Sequence, residues 1–243
     1  MLAADGTRYW VEAYAHRIVS QAPGGEIREL EADVRLPAGL ALDPAGRLLV
    51  SEFGGGRVSW IDPATGEQGI IAAEYGDRPL NGPNDLIVDR EGAVWFTDPA
   101  LLSANRQRDQ QVFHRSADGV LTRVAGGLKV PNGLALLPDG EALLVAEWGA
   151  GRIWRYPVLG PAQVGEPSRF TDVRTPTPDG ICVHAPSGRV FVATGPDLMS
   201  FDLDGNRLEV VRIPGDPTNC AVAGDRMLVT TRCRVYELDV PGS

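Results

Sequence analysis

The segment Pro131-Asn132-Gly133-Leu134-Ala135-Leu136 decides the fold, because related segments return along this chain of 243 residues. The four others also join a proline to a short apolar run: Pro37-Ala38-Gly39-Leu40-Ala41-Leu42, Pro83-Asn84-Asp85-Leu86-Ile87-Val88, Pro178-Asp179-Gly180-Ile181-Cys182-Val183 and Pro217-Thr218-Asn219-Cys220-Ala221-Val222. Successive prolines lie 46, 48, 47 and 39 residues apart. A self-similar period of this length is typical of folds built from repeated supersecondary units.

Each of the first four repeats continues in the same way after its proline segment. A turn glycine follows nine or ten residues after the proline, at Gly46, Gly92, Gly140 and Gly188. A second apolar run comes next, such as Ala93–Phe96, then a third strand such as Gly56–Ile61, and a fourth after another turn. Four short strands in about 45 residues are typical of one blade of a β-propeller, and the lack of a 3.6-residue period predicts little helix.

The whole chain, residues 1–243, is therefore predicted to be one all-β domain, a six-bladed β-propeller. Residues 7–35 form a partial first blade, and further blades start near Pro37, Pro83, Pro131, Pro178 and Pro217. The first blade has sequence for its second to fourth strands only, and the last blade ends at Val240 without a clear fourth strand. The first and last blades are accordingly predicted to be incomplete.

Composition and charge argue against several classes of partner. The chain has 23 Lys and Arg against 32 Asp and Glu, a formal net charge of −9, and no basic run. An acidic surface disfavours binding to nucleic acid or to an anionic membrane. No apolar stretch reaches the roughly 20 residues of a membrane span, and the N-terminal segment lacks the pattern of a secretion signal. We therefore expect a cytoplasmic protein, a monomer or a homodimer, whose partner is a small molecule.

The residue after each recurring proline is a candidate site position. In a β-propeller the first strand of every blade lines the central channel, so equivalent residues of these strands are expected to converge there. Those residues are Ala38, Asn84, Asn132, Asp179 and Thr218, three of which carry amide or carboxylate oxygens. Oxygen donors with little total charge suit a hard cation, Ca²⁺ before Mg²⁺. Alternatively, Asn and Asp stand at the start of these strands because both are favoured in turns.

Several of these phrases together carry a resemblance to a known family. They are Asn81-Gly82-Pro83-Asn84-Asp85, Trp95-Phe96-Thr97-Asp98-Pro99, Pro131-Asn132-Gly133, Pro178-Asp179-Gly180 and Pro217-Thr218-Asn219-Cys220. Over nearly its whole length the chain resembles the senescence-marker-protein/gluconolactonase/luciferin-regenerating-enzyme family. The resemblance implies a six-bladed propeller that holds a divalent metal, usually Ca²⁺ with Mg²⁺, Mn²⁺ or Zn²⁺ as alternatives, and hydrolyses small lactones or related esters.

The resemblance also implies roles for individual residues. Asn132 and Asp179 match metal ligands, and Asn84 matches an asparagine that contacts metal or substrate. Asn81 and Asn219 stand in the phrases that are expected to bind substrate. Asp179 is the carboxylate of the set, and we expect it to serve either as a ligand or as the base that draws a proton from water.

The resemblance also implies a glutamate ligand on the first strand of blade one. We expect that strand to be missing here, either because the start is truncated relative to the family or because blade one is incomplete. The corresponding turn is Ala4-Asp5-Gly6, and counting nine residues back from Gly6 leaves the chain. Four acids end second strands, and Glu12 among them borders this gap and is a candidate replacement ligand. The four are Glu12, Glu52, Asp98 and Glu147. Alternatively, these acids orient ligands or loop backbone, or are ordinary acids of strand-end turns.

Two other functions stay open from the sequence. The same site is compatible with a non-hydrolytic biosynthetic step, such as cyclisation or isomerisation. The absent glutamate also leaves open a propeller that acts as a non-catalytic binding scaffold, although Asn84, Asn132 and Asp179 argue against it.

Overall fold

The computed structural model describes residues 1–101, 109–173 and 177–240. Strands account for most of these residues, and the helical segments within the described ranges are two single 3-10 turns, Ala13–Ala15 and Trp148–Ala150. The chain divides into two compact units, one of residues 1 and 3–130 and one of residues 2 and 131–243. We call them unit 1 and unit 2.

Unit 1 contains three successive antiparallel sheets and a short hairpin. The sheets are β1-β2-β3, β4-β5-β6-β7 and β10-β11-β12-β13, and β8 pairs with β9. The strands are β1 (Arg8–Glu12), β2 (Arg17–Gln21), β3 (Ile27–Leu30), β4 (Pro37–Leu42), β5 (Leu48–Glu52), β6 (Arg57–Ile61), β7 (Gln68–Ala72), β8 (Glu74–Tyr75), β9 (Arg78–Pro79), β10 (Leu86–Val88), β11 (Val94–Asp98), β12 (Gln111–Arg115) and β13 (Leu121–Ala125).

Unit 2 also contains three antiparallel sheets. They are β14-β15-β16, with both β17 and β18 paired to β16, then β19-β20-β21-β22 and β23-β24-β25. The strands are β14 (Pro131–Leu136), β15 (Ala142–Glu147), β16 (Arg152–Gly160), β17 (Gln163–Val164), β18 (Ser168–Asp172), β19 (Pro178–His184), β20 (Arg189–Thr194), β21 (Asp197–Phe201), β22 (Arg207–Arg212), β23 (Pro217–Ala223), β24 (Arg226–Thr231) and β25 (Val235–Asp239).

The six sheets are the six predicted blades, and their order along the chain confirms the repeat. Most of their neighbouring strands are joined by short turns, as the Gly and Asp signals predict. Gly46 and Gly92 have φ of +82° and +80°, the left-handed region that glycine enters without steric cost. Within the described residues the first and last blades have three strands each, as expected.

The second strand of each full blade is its most buried element. All residues of β5, β11 and β15 are buried. These strands lie inside their sheets, so their side chains on both faces are covered, and the apolar runs recognised in the sequence form the cores of the blades. The acids at the ends of these strands are consequently buried too, with Glu52 and Asp98 at 0% and Glu147 at 6% exposure.

The recurring proline segment is an irregular part of the first strand. The pairing register with the second strand shifts between Pro131 and Leu134 in β14 and between Pro178 and Ile181 in β19. The pairing register of the first strands β4 and β23 shifts at the equivalent place. Such bulges re-aim a side chain and are frequent beside active sites. The residue after the proline is therefore turned out of the regular ladder.

The glycine two residues after the proline lies against the first strand of the next blade. A Cβ placed on Gly133 would lie 2.3 Å from the Asp179 carbonyl oxygen and 2.7 Å from Gly180 Cα. A Cβ on Gly180 would lie 2.2 Å from Asn219 Oδ1. These glycines thus allow neighbouring first strands of unit 2 to approach within backbone contact.

Replacing Gly133 by alanine is expected to destabilise the fold by about 2 kcal/mol or more, because the new methyl group would meet backbone atoms that cannot rotate away. The expected fall in the thermal midpoint is roughly 4–8 °C. Gly195→Ala is the matched control, since a Cβ there meets nothing within 4 Å. Thermal unfolding followed by circular dichroism measures both variants. Equal midpoints for the two would contradict the close approach.

Candidate functional site

In most blades the residue after the recurring proline is more exposed than the proline itself. The five recurring prolines are all buried: Pro37, Pro83, Pro131, Pro178 and Pro217. The following residue is partly exposed in four of the five blades, and the fifth, Asn132, is 7% exposed. A polar side chain at this position can therefore meet a ligand while the proline beside it stays in the core.

In unit 2 the structure brings together two of the predicted ligands. Asn132 and Asp179 occupy the same bulge position of neighbouring first strands, β14 and β19. The backbone contact at Gly133 fixes the approach of these two strands. An amide oxygen and a carboxylate oxygen on adjacent strands are hard donors, so the pair fits a divalent cation of the Ca²⁺ or Mg²⁺ type. Among residues 1–101, 109–173 and 177–240, no group of three or more His, Cys, Asp or Glu has the arrangement of a metal site.

In unit 1 the backbone of Asn84 is held on both sides. Its N–H donates to the Thr97 carbonyl oxygen at 2.9 Å, and its carbonyl oxygen accepts from Ser51 Oγ at 2.5 Å. Ser51 Oγ also accepts the N–H of Gly39 at 2.7 Å. Ser51 was not identified from the sequence, because a serine within an apolar strand carries no distinctive signal. These contacts leave the Asn84 side chain as the part of the residue that is free to meet a ligand.

Asn81 is 1% exposed, and its side-chain amide is engaged by the chain. Nδ2 donates to the carbonyl oxygen of Asp109 at 2.8 Å and to that of Asp98 at 3.3 Å. These bonds tie the loop before Asn84 to the end of β11. The predicted contact of Asn81 with substrate stays a prediction, and the observed contacts support a role in holding the loop.

Asn219 lies at the contact between β23 and β19. Its Oδ1 accepts the N–H of Cys220 at 2.8 Å, and its side chain fills the space that Gly180 leaves open. Asp85 has the same arrangement in unit 1, where its Oδ1 accepts the N–H of Leu86 at 2.9 Å and lies against Gly39. The predicted contact of Asn219 with substrate also stays a prediction.

Two of the buried acids at the strand ends, Glu52 and Asp98, hold loop backbone, as one of the sequence interpretations predicts. Glu52 Oε2 accepts the N–H of Arg35 at 2.8 Å. Asp98 accepts two backbone N–H groups, from Asn81 at 3.0 Å and from Gly82 at 2.8 Å. Each acid thereby fixes the segment that enters the first strand of its own blade.

Glu12 and Glu147 are engaged with side chains of the adjacent third strand. Glu12 Oε2 accepts from Arg17 Nε at 2.8 Å and Nη2 at 2.6 Å, and its side chain is 38% exposed. The carboxylate of Glu12 raises the pKa of the Arg17 guanidinium. Glu147 Oε2 accepts from Trp154 Nε1 at 2.8 Å. The role of Glu12 as a replacement ligand stays a prediction, and its pairing with Arg17 weakens it.

Three of the recurring prolines follow a residue in a left-handed conformation. Leu36, Val130 and Asp216 have φ of +45°, +55° and +58°. Non-glycine residues enter this region only at a cost, which is larger for a β-branched residue such as Val130. The Val130 N–H is bonded to Gln110 Oε1 at 3.2 Å. The left-handed residue directs the chain into the bulge of the first strand. No sequence signal predicts this conformation.

The described residues include no helix that is long and apolar enough to cross a membrane.

Residues 1–232 match the family described as the SMP-30/gluconolactonase/LRE-like region. A gluconolactonase from Zymomonas mobilis is 30% identical over 220 residues, which cover 82% of this chain and 59% of the relative. The pentonolactonase XacC from Haloferax volcanii is 28% identical over 235 residues, which cover 92% of this chain and 76% of the relative. The chain thus spans about three fifths of the length of the Zymomonas protein.

A solved structure of a gluconolactonase from Xanthomonas campestris superimposes with a TM-score of 0.90 at 30% identity, covering 98% of this chain and 83% of that one. This match and the six successive sheets confirm the predicted six-bladed β-propeller. The resemblance drawn from the proline segments is confirmed as well, and the chain belongs to the SMP-30/gluconolactonase/LRE-like family.

Proposed function

We propose that this protein is a metal-dependent hydrolase of small lactones or related esters. The observation that carries the proposal is the placement of Asn132 and Asp179 at matched bulges of the neighbouring strands β14 and β19. The names of two relatives, a gluconolactonase and a pentonolactonase, support a sugar lactone as the substrate.

The chemistry of the donors favours a hard divalent cation. Asn132 and Asp179 would hold it, and Asn84 would contact the cation or the substrate. Ca²⁺ is the first choice because amide and carboxylate oxygens are its usual ligands, and Mg²⁺, Mn²⁺ and Zn²⁺ are the alternatives. When bound, such a cation supplies Lewis-acid polarisation of the lactone carbonyl.

The two unit 2 residues differ in what they can do besides binding. Asn132 is 7% exposed and carries a neutral amide, so it suits a ligand rather than a base. Asp179 is partly exposed and carries the carboxylate of the set. A carboxylate that is open to water can accept a proton from the attacking water molecule, which is general-base catalysis. Asp179 therefore serves either as ligand or as base, and its loss is expected to affect both binding and hydrolysis.

The proposal is tested by Asp179→Ala, which removes the carboxylate of the set. We expect calcium binding to be lost in isothermal titration, and hydrolysis of gluconolactone and of an aryl ester to fall by at least about 100-fold in a pH-indicator assay. Asp225→Ala, at an exposed turn of the same unit, is the control and is expected to behave as the wild type.

Other results of the same experiments distinguish the remaining hypotheses. An unchanged calcium titration of Asp179→Ala contradicts the assignment of this residue. Stoichiometric calcium without hydrolysis by the wild type points to a non-hydrolytic step such as cyclisation or isomerisation. A wild-type protein that binds neither metal nor lactone contradicts the proposal and favours the binding scaffold.

Glu12→Gln separates the two interpretations of that acid. Because Glu12 is paired with Arg17 on a partly exposed surface, we expect calcium affinity and lactone hydrolysis to change by less than about twofold, and stability by about 1 kcal/mol at most. The same titration and assay measure the variant. A tenfold or greater loss of calcium affinity would instead identify Glu12 as the replacement ligand.

A further inference from the structure

We propose that Asp98 is a positioning residue for the reaction, which acts by fixing the segment 81–84 and thereby the side chain of Asn84. This inference rests on the proposed function, since it assigns Asn84 to the cation or the substrate. Asp98 itself touches neither group. It is 0% exposed and ends the buried strand β11.

The carboxylate of Asp98 holds two consecutive backbone amides. Oδ2 accepts the N–H of Asn81 at 3.0 Å, and Oδ1 accepts the N–H of Gly82 at 2.8 Å. Bonds to an ionised acceptor are stronger than bonds between neutral groups, and burial removes the competition of water. One side chain thus fixes both the position and the direction of the chain two residues before Asn84.

Other contacts prevent this segment from moving away from Asp98. A Cβ on Gly82 would lie 2.6 Å from the carbonyl oxygen of Phe53, so the backbone of Gly82 is packed directly against that residue. Asn81 Nδ2 donates to the backbone of Asp109 at 2.8 Å. The segment is consequently held from two sides, and the carboxylate of Asp98 contributes a charged acceptor to these contacts.

Thr97, the residue before Asp98, extends these backbone contacts to Asn84. The Thr97 carbonyl oxygen accepts the N–H of Asn84 at 2.9 Å. The last two residues of β11 therefore bond to the chain at positions 81, 82 and 84. A shift of the Asp98 contacts would move the base of the Asn84 side chain, and misplacement of a ligand-holding group by a fraction of an ångström reduces catalysis.

Glu52 is a control for Asp98 within the same chain. It ends β5, the equivalent strand of the preceding blade, is also 0% exposed, and accepts the N–H of Arg35 at 2.8 Å. The segment that Glu52 holds leads to Ala38, which has no polar side chain. Loss of this acid removes the same kind of backbone contact without a donor residue downstream, together with the bonds that Glu52 Oε1 accepts from Arg57 Nε at 2.7 Å and Ser59 Oγ at 2.6 Å.

The experiment compares Asp98→Asn, Glu52→Gln, Asn84→Ala and the double variant Asp98→Asn/Asn84→Ala. The asparagine keeps the size of Asp98 but turns an amide N–H₂ toward one of the two backbone N–H groups, so one bond is lost. Hydrogen exchange followed by mass spectrometry measures the amides of residues 81, 82 and 84 and of residues 33–36 and 38, since Pro37 and Pro83 have no N–H. Lactone hydrolysis gives kcat and KM, and thermal unfolding shows that each variant is folded.

We expect Asp98→Asn to raise exchange over 81–84 only, and to lower kcat/KM about 10-fold. Glu52→Gln should raise exchange over 33–38 and keep kcat/KM within about twofold. The double variant should be no slower than Asn84→Ala alone, since Asp98 acts through Asn84 and the two losses are then not independent.

Three results would overturn the inference. They are unchanged exchange over 81–84 in Asp98→Asn, an equal loss of kcat/KM in Glu52→Gln, and losses that multiply in the double variant. If the wild type hydrolyses no lactone, the proposed function fails separately, and the exchange measurement alone then decides for or against the hold of Asp98 on the segment.

Discussion

The close approach of neighbouring first strands is the constraint on which the candidate site depends. In unit 2, the backbone at Gly133 touches the backbone at Asp179 and Gly180, with no room for a Cβ. Because no side chain fits into this contact, the position of β14 along β19 is fixed. The bulged residues one position earlier, Asn132 and Asp179, are carried to matched places by the same contact. A glycine that looks like a turn residue in the sequence is therefore what sets the spacing of the donors.

The strand-end acids are a second device that repeats from blade to blade. Three of them, Glu52, Asp98 and Glu147, lie at the end of a buried second strand, where the carboxylate must find donors inside the protein. Glu52 and Asp98 find them in the backbone that enters the first strand. The scaffold thus uses buried charge to order an otherwise irregular segment, and under the proposed function the side chain that follows the proline decides whether that segment contributes to the site. Ala38 and Asn84 illustrate the two outcomes.

Much of the fold could be predicted because the repeat places glycine, aspartate and apolar runs at the same spacing in successive blades. The residue after the proline could be singled out by the same logic. The contacts of Asn81 could not, since an asparagine in a loop can face a ligand or tie the chain, and the choice depends on the distant backbone of Asp109. The left-handed conformation of Val130 and the bond from Ser51 to Asn84 are likewise set by tertiary packing, which local propensity does not encode. The hairpin of β8 and β9 falls between two repeats and has no counterpart in the period.

Removal and return of the metal tests the central claim most directly, because it asks whether the oxygen donors of the first strands serve lactone hydrolysis. The measurement is the rate of gluconolactone hydrolysis by the wild-type protein as purified, after chelation and dialysis, and after addition of calcium in increasing molar ratio. The account predicts that chelation abolishes hydrolysis and that about one equivalent of a divalent cation restores it. Full hydrolysis in the presence of chelator, or none by the calcium-loaded protein, would contradict it.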